Sequence, residues 1–188
     1  MNKTLRTDLA IALLLVCLGV ALRLGLQDYP NVSPVAALAL FSGYLFRGRL
    51  IAVVVPLGIL AVSDLYFGGY APVVMATVYV LLSVPFLMGN SLRRLHTQKI
   101  SNARVTGLTG LAGFCFAGLF FIGTNLAVWS TSSYYSNDFT GLLECYTAAL
   151  PFFRQTLMGD LLFITLFFGS YALCRSLLAS RVRIVVTQ

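Results

Sequence analysis

The stretch LAIALLLVCLGVALRLGL, residues 9–26, is apolar except for one charged side chain, Arg23. An α-helix needs about 20 predominantly apolar residues to cross the hydrocarbon core of a bilayer. A basic segment with Lys3 and Arg6 precedes the stretch, as in a signal peptide, but no A-x-A cleavage pattern follows it. We therefore expect an uncleaved first membrane helix at this position.

Further apolar segments follow along the chain, and together they predict a bundle of six transmembrane helices. The predicted helices are roughly 9–26, 34–46, 50–66, 71–89, 106–129 and 154–178. The second and third are short, and Pro56 interrupts the third. Such spans are tolerated where neighbouring helices satisfy the backbone, which favours a tight hairpin in the bundle over a re-entrant pair. The sequence thus predicts an all-α membrane protein, with residues 1–188 forming a single integral membrane domain.

The composition excludes a soluble fold. Of the 188 residues, 59% are hydrophobic and only 10% are charged, whereas soluble domains carry about 25% charged residues. Disorder is excluded as well, because it requires low hydrophobicity. The net charge of +7 comes from basic residues placed between apolar runs. Membrane topology explains that charge. We therefore expect the lipid bilayer as the partner of these basic residues, and we expect no nucleic-acid partner.

The distribution of charge predicts the orientation of the helices. With six spans both termini share one side of the membrane, and basic residues accumulate on the cytoplasmic side. Placing both termini in the cytoplasm puts 11 of the 13 basic residues there and leaves Arg23 and Arg154 outside. The inner set is Lys3, Arg6, Arg47, Arg49, Arg93, Arg94, Lys99, Arg104, Arg175, Arg181 and Arg183. Five of the six acidic residues then fall on or near the outer side.

Two charged residues inside apolar segments are the first candidates for a functional site, because such charges are costly within a membrane. Arg23 lies about one turn inside the outer end of the first predicted helix, and Asp160 lies at a similar depth in the last. The two side chains could form a salt bridge or contact a ligand. Alternatively, they could extend separately towards the interface.

Asp64 and Asn31 are further candidates near the outer ends of the predicted helices. Asp64 precedes the Gly68–Gly69 pair, where an aspartate is often a cap or turn residue. It nevertheless lies close to other polar groups of the outer face. Asn31 belongs to the connection between the first two helices.

The segment after the fifth predicted helix is rich in aromatic and polar residues. Its candidate ligand-binding residues are Asn125, Trp129, Tyr134, Tyr135, Glu144, Tyr146 and Arg154. The tryptophan and tyrosines could form an interfacial aromatic belt. A belt does not require the neighbouring amide and charged groups, whereas aromatic walls with a few polar groups are typical of small-molecule pockets.

Signatures of metal, cofactor and ATP chemistry are missing from the sequence. The only histidine is His96, in a basic connection. The four cysteines have no CxxC or zinc spacing, and Cys145 alone lies outside the predicted apolar runs. No GxxxxGK[ST] motif and no nucleophile–base pair is present. We therefore expect no metal site, no cofactor and no enzymatic activity.

These features together resemble the substrate-binding S component of energy-coupling factor vitamin transporters, and more closely a family of bacterial membrane proteins regarded as S-component-like. The resemblance is carried by NVSPVAALALF at 31–41, Ser63-Asp64, Trp129 with Tyr134 or Tyr135, and GLLECYTAALPFF at 141–153 with Gly159-Asp160. It covers nearly the whole chain. It implies a multi-pass protein of the bacterial cytoplasmic membrane with a pocket on the outer side.

The resemblance further implies that the chain takes up a small, vitamin-like solute. It would act alone or together with a transmembrane coupling subunit and two ATPases. Two alternatives remain open at this point. One is a small membrane enzyme that uses Asp64, Glu144 or Asp160 as an acid or base, and the other is an assembly subunit without a ligand.

Overall fold

The structure is a computed structural model that describes residues 3–97 and 102–186. It contains helices α1 (Lys3–Gly25), α2 (Val35–Leu45), α3 (Arg49–Phe67), α4 (Pro72–Thr97), α5 (Asn102–Thr131) and α6 (Phe139–Val186). The described residues include no strand. The predicted all-α fold is therefore confirmed. Lys99, which belongs to the predicted cytoplasmic set, lies outside the described residues.

Five of the helices are long and apolar enough to cross a membrane, and α2 is the exception in the described part of the chain. α2 has 11 residues, which at ~1.5 Å per residue is about half of a ~30 Å hydrocarbon core. Ten of these residues, Val35 to Tyr44, are buried. The second predicted span is thus a short helix enclosed by protein.

The long helices form an open ring around α2. In the order α1, α3, α4, α5, α6, each packs against the next, and α2 contacts α1, α3, α4 and α6 from the centre. Among the described residues α1 and α6 share no extended contact, so the ring is open between them. This arrangement lets an apolar helix too short to reach both membrane surfaces avoid lipid.

Consecutive helices alternate in direction through the bundle. α2 and α6 run in parallel, because the aromatic ring of Phe41 packs on Phe167 and that of Tyr44, one turn later, packs on Tyr171. Arg93, near the end of α4, donates a hydrogen bond to the backbone carbonyl of Phe46, the residue that follows α2. We call the end of the bundle where α1, α3 and α5 terminate the cavity end, and the other the opposite end.

Two glycines bring α2 and α4 into direct backbone contact. A Cβ atom at Gly43 would overlap the carbonyl group of Phe86, and one at Gly89 would overlap the carbonyl oxygen of Leu40. Small residues allow such close approach between helices in lipid, where packing drives association. A side-chain hydrogen bond from Ser42 Oγ to the Ala52 carbonyl, 2.8 Å long, ties α2 to α3 as well.

The predicted start of the last helix, at 154, is wrong. α6 begins at Phe139 and includes Pro151, so most of the segment expected to form an outer loop is helical. Asp138 produces the early start, because its carboxylate accepts a 2.8 Å hydrogen bond from the Gly141 N–H and a 2.7 Å bond from Ser136 Oγ. The bond from the Gly141 N–H is that of a helix N-cap, and Ser136 holds the capping carboxylate.

Replacing Gly43 by alanine should destabilise the bundle by about 1–3 kcal/mol, because the new methyl group overlaps backbone that cannot rotate away. Gly110 is the matched control, since a Cβ there meets open space and alanine favours the helix by up to about 1 kcal/mol. Thermal unfolding in detergent would compare the two variants. Equal Tm values for Gly43→Ala and wild type would contradict the close packing.

Replacing Asp138 by alanine should lower the Tm, whereas asparagine, which also caps helices, should largely preserve it. The Gly141 N–H and then Ser136 lower the pKa of Asp138 below its ordinary value of 3.8. The stabilisation by the carboxylate is therefore complete above about pH 4 and is lost as the pH falls through the folded-state pKa. A Tm difference between wild type and alanine variant that persists unchanged at lower pH would exclude this charge effect.

Candidate functional site

A cavity of about 320 Å³ opens at the cavity end of the bundle. This volume lies at the lower limit of small-molecule sites, which span about 300–1,000 Å³. Its wall comes from the end of α1, the connection 26–34, and residues of α2 to α6. The predicted site residues Arg23, Asn31 and Asp160 all line it.

An ion pair lies at the edge of this cavity. Arg23 Nη1 is 2.6 Å from Asp64 Oδ1, and the same nitrogen donates to the hydroxyl of Ser63. The guanidinium carbon lies 5.3 Å from the ring centre of Phe67, within cation–π range. The pair thus joins the end of α1 to the end of α3 beside the cavity.

The turn after α3 explains why Asp64 reaches Arg23. Gly68 ends the helix with φ +86°, and its N–H donates to the Asp64 carbonyl over 2.9 Å. A left-handed residue in this position terminates a helix sharply, and glycine adopts it without steric cost. The Asp64 side chain therefore stays in the last turn of α3, where it is buried.

Asp160 lies inside the same cavity but forms no ion pair. Its side chain belongs to α6 and the residue is only 4% exposed. Oδ2 has no hydrogen-bond partner among the described residues. The predicted salt bridge between Arg23 and Asp160 is therefore wrong, because Arg23 is bound to Asp64 and Ser63. The two residues nevertheless face one shared space, in which a ligand could contact both.

The other predicted residues do not converge on this cavity. Asn125 lines an adjoining cavity of about 240 Å³, which shares Asn31, Val78, Phe120 and Thr156 with the first. Its amide donates to the Phe121 carbonyl over 2.7 Å.

The aromatic candidates have local partners instead. Trp129 Nε1 donates to the Ser136 carbonyl over 3.0 Å, and the Tyr146 hydroxyl donates to the Ile122 carbonyl over 2.7 Å. Tyr134 is 91% exposed, and Tyr135 is half-buried. These contacts shape the surface between α5 and α6.

Two charged candidates of the same region point away from the cavity. Glu144 and Arg154 are exposed, and neither lines the first or the adjoining cavity. The predicted convergence of the fifth connection with Arg23 and Asp64 is thus not observed. The early start of α6 explains this, because it places these residues on helix faces rather than in a loop that could fold over the bundle.

Several residues that line the cavity were not among the site residues predicted from the sequence. Phe116 and Phe120 supply aromatic wall, but within a continuous apolar run they carry no sequence signal. Thr156 does carry one, because it precedes Asp160 by four residues and so shares its helix face.

Tyr70 also lines the cavity. Burial raises the pKa of the Tyr70 hydroxyl above its ordinary value of 10.0, and the negative charge of Asp64 raises it further, while Arg23 acts in the opposite direction. The phenol is therefore protonated at neutral pH and available as a hydrogen-bond donor.

The described residues of the cavity offer groups that can bind a small molecule. No group of three or more histidine, cysteine, aspartate or glutamate side chains that could hold a metal occurs among the described residues. Cys145 is buried, with its Sγ 3.6 Å from the Asn125 carbonyl oxygen. A cavity with apolar walls, one ion pair and one unpartnered carboxylate suits a small amphipathic solute.

A double-mutant cycle should reveal the coupling of Arg23 and Asp64. Arg23→Ala alone should cost about 3 kcal/mol or more, because it leaves a buried carboxylate without its partner. The double variant with Asp64→Ala should lose about 0.5–3 kcal/mol less than the sum of the single losses. Thermal unfolding in detergent provides the measurement, and Arg23→Ala combined with Asp138→Asn is the additive control. Additivity for both pairs would refute the ion pair.

Comparison with known proteins places the chain in a family. No curated protein and no solved structure matches it. Residues 3–181 match a family described as a family of unknown function, DUF6580. Since the match covers nearly all of the 188 residues, the chain belongs to the DUF6580 family.

Proposed function

We propose that this chain is a membrane transport protein of the S-component type, which binds a small solute from the outer side of a bacterial cytoplasmic membrane. The observation that carries the proposal is the cavity at one end of the bundle, with a buried carboxylate and an ion pair at its wall. Polar groups of this kind are costly in a membrane and usually serve a function.

The distribution of charge supports an outward-facing cavity. Arg47, Arg49, Arg93 and Arg175 belong to the opposite end of the bundle, as the ends of α2, α4 and α6 and the start of α3 lie there. Asp28, Asp64 and Asp138 belong to the cavity end. By the positive-inside rule the opposite end is cytoplasmic. Both termini then lie in the cytoplasm, and the chain passes the membrane six times, with the second passage formed inside the protein by α2 together with its two connections.

Transport against a gradient requires partners in this proposal. The chain carries no nucleotide-binding motif, so energy would come from a transmembrane coupling subunit with ATPases, or uptake would proceed downhill. α1 is well placed for a partner, since its extended contacts among the described residues are with α2 and α3 and it exposes Leu13 and Leu14.

The geometry gives less support to the two alternatives. An enzyme using Asp64 as an acid or base would have to release it from Arg23. Among the described residues, Asp160 Oδ2 has no hydrogen-bond partner that would activate it, and Glu144 does not line the cavity. An assembly subunit without a ligand has no need for a cavity that contains an unpartnered carboxylate.

The orientation can be tested with single cysteines in a background in which Cys17, Cys115, Cys145 and Cys174 are serine. A membrane-impermeant maleimide added to intact cells should label Ser133→Cys, in the connection before α6. It should label Arg47→Cys, in the connection before α3, only after the cells are opened. Both positions are exposed. Reversed accessibility would place the cavity on the cytoplasmic side and contradict uptake from outside.

Solute binding can be tested by native mass spectrometry of the detergent-purified protein. We expect a bound small molecule that is reduced in occupancy by Ala36→Phe, because this substitution fills the cavity next to Asp160. Leu143→Phe is the control, because it introduces the same side chain at an exposed position of α6. Retention of the molecule by both variants would show that binding occurs elsewhere.

A further inference from the structure

Asp160 is the feature of the cavity that the fold itself leaves unexplained. The residue is 4% exposed and Oδ2 has no hydrogen-bond partner among the described residues. A buried polar atom without a partner loses its hydration and gains nothing in return. The described residues therefore leave Asp160 Oδ2 unsatisfied, and a partner from outside the chain would satisfy it.

The neighbouring charges do not supply that partner. Arg23 is bound to Asp64 and Ser63. Arg154 is exposed and lies six residues before Asp160, which at ~100° per residue places it on a different face of α6. Asp64 Oδ2 also lacks a hydrogen-bond partner among the described residues. Asp64 differs from Asp160 in that its Oδ1 forms the ion pair with Arg23, and its carboxylate faces the Tyr79 side chain.

The charge of the cavity has a definite sign. Arg23 and Asp160 are the charged residues that line the cavity. Because Arg23 pairs with Asp64, which is not part of that lining, a negative charge on Asp160 has no counter-charge among the described residues. The complementary ligand is therefore a monocation. A hard metal ion would need about six oxygen ligands, whereas the described residues contain no cluster of metal-ligating side chains. An organic cation requires only one carboxylate and suitable walls.

The walls around Asp160 suit the body of such a cation. Phe116 borders Asp160 in two adjacent spaces of the bundle, and Phe120 lies one turn further along α5. Phe67, whose ring centre lies 5.3 Å from the guanidinium carbon of Arg23, also lines the cavity. Aromatic faces attract cationic nitrogen and also pack against flat apolar groups. Thr156, four residues before Asp160, adds a hydroxyl on the same face.

We infer that the solute bound in this cavity carries a positively charged nitrogen that the Asp160 carboxylate binds, and an apolar body that lies against Phe67, Phe116 and Phe120. The inference rests on the proposed solute-binding function and specifies the chemical class of its ligand. Asp160 is then a specificity residue that distinguishes organic cations from neutral and anionic molecules of the same shape.

Three probes with one common body test this inference: benzylammonium, benzyl alcohol and benzoate. Their binding to the full chain in lipid nanodiscs can be measured by ligand-observed NMR titration. Wild type should bind benzylammonium most tightly and benzoate least. Asp160→Asn keeps the shape but removes the charge, and it should weaken benzylammonium binding by about 10-fold to 100-fold, the usual effect of a hydrogen bond to a charged group. Binding of benzyl alcohol should change by less than about threefold, because this probe carries no charge for Asp160 to attract.

Asp138→Asn is the matched control, because it makes the same change on a carboxylate at the start of α6 that lies outside the cavity. It should leave all three affinities unchanged. If Asp160→Asn does not yield a monodisperse protein, Asp160→Ala replaces it, and the ranking of the three probes on wild type needs no variant.

The outcomes separate the inference from the function on which it rests. Benzyl alcohol or benzoate bound as tightly as benzylammonium, or benzylammonium binding that is insensitive to Asp160, overturns the cationic ligand while solute binding stands. Absence of binding by all three probes, together with no co-purified molecule in native mass spectrometry, overturns both. Preferential binding of benzylammonium that is lost only with Asp160 supports both.

Discussion

The burial of α2 is the constraint on which the rest of the structure depends. Its 11 residues are too few to connect both surfaces of a bilayer. In lipid, the two ends of such a short helix would expose backbone N–H and C=O groups without hydrogen-bond partners. Enclosure by protein solves both problems. The ends of α2 meet the connection 26–34 on one side and the side chain of Arg93 on the other. The five longer helices provide this enclosure by packing around α2.

The cavity follows from the same arrangement. Because α2 is short, the long helices extend past its start, and the connection 26–34 lines the space above it together with residues of those helices. The side chains that line this space are polar at Arg23, Thr156 and Asp160. They are aromatic where they belong to the middle of α5. The difference between the ion-paired Asp64 and the unpartnered Asp160 then separates a group that holds the fold together from one available to a ligand.

Much of the fold could be predicted from the sequence, because length and apolar character alone identify a membrane helix. The candidate site could be predicted only in part from the sequence. Arg23, Asn31 and Asp160 could be identified as costly or unusual polar residues, but the choice of Asp64 over Asp160 as partner of Arg23 depends on which helices are neighbours. The packing order α1, α3, α4, α5, α6 is a property of the assembled bundle. The start of α6 was obscured by Pro151, which normally marks a helix boundary but here is accommodated within the helix.

The backbone contact of α2 with α4 limits how the protein can move. Contacts between side chains can rearrange through rotamer changes, but Gly43 and Gly89 have no side chains, and the carbonyl groups opposite them belong to intact helices. Sliding or rotating one helix against the other would drive atoms into one another, so α2 and α4 behave as one rigid body. The degrees of freedom that could admit a molecule into the bundle are therefore left to the peripheral parts: the connection 26–34, and α1, which is anchored on one side only. The floor of the cavity is stationary, and its entrance is the part that can change shape.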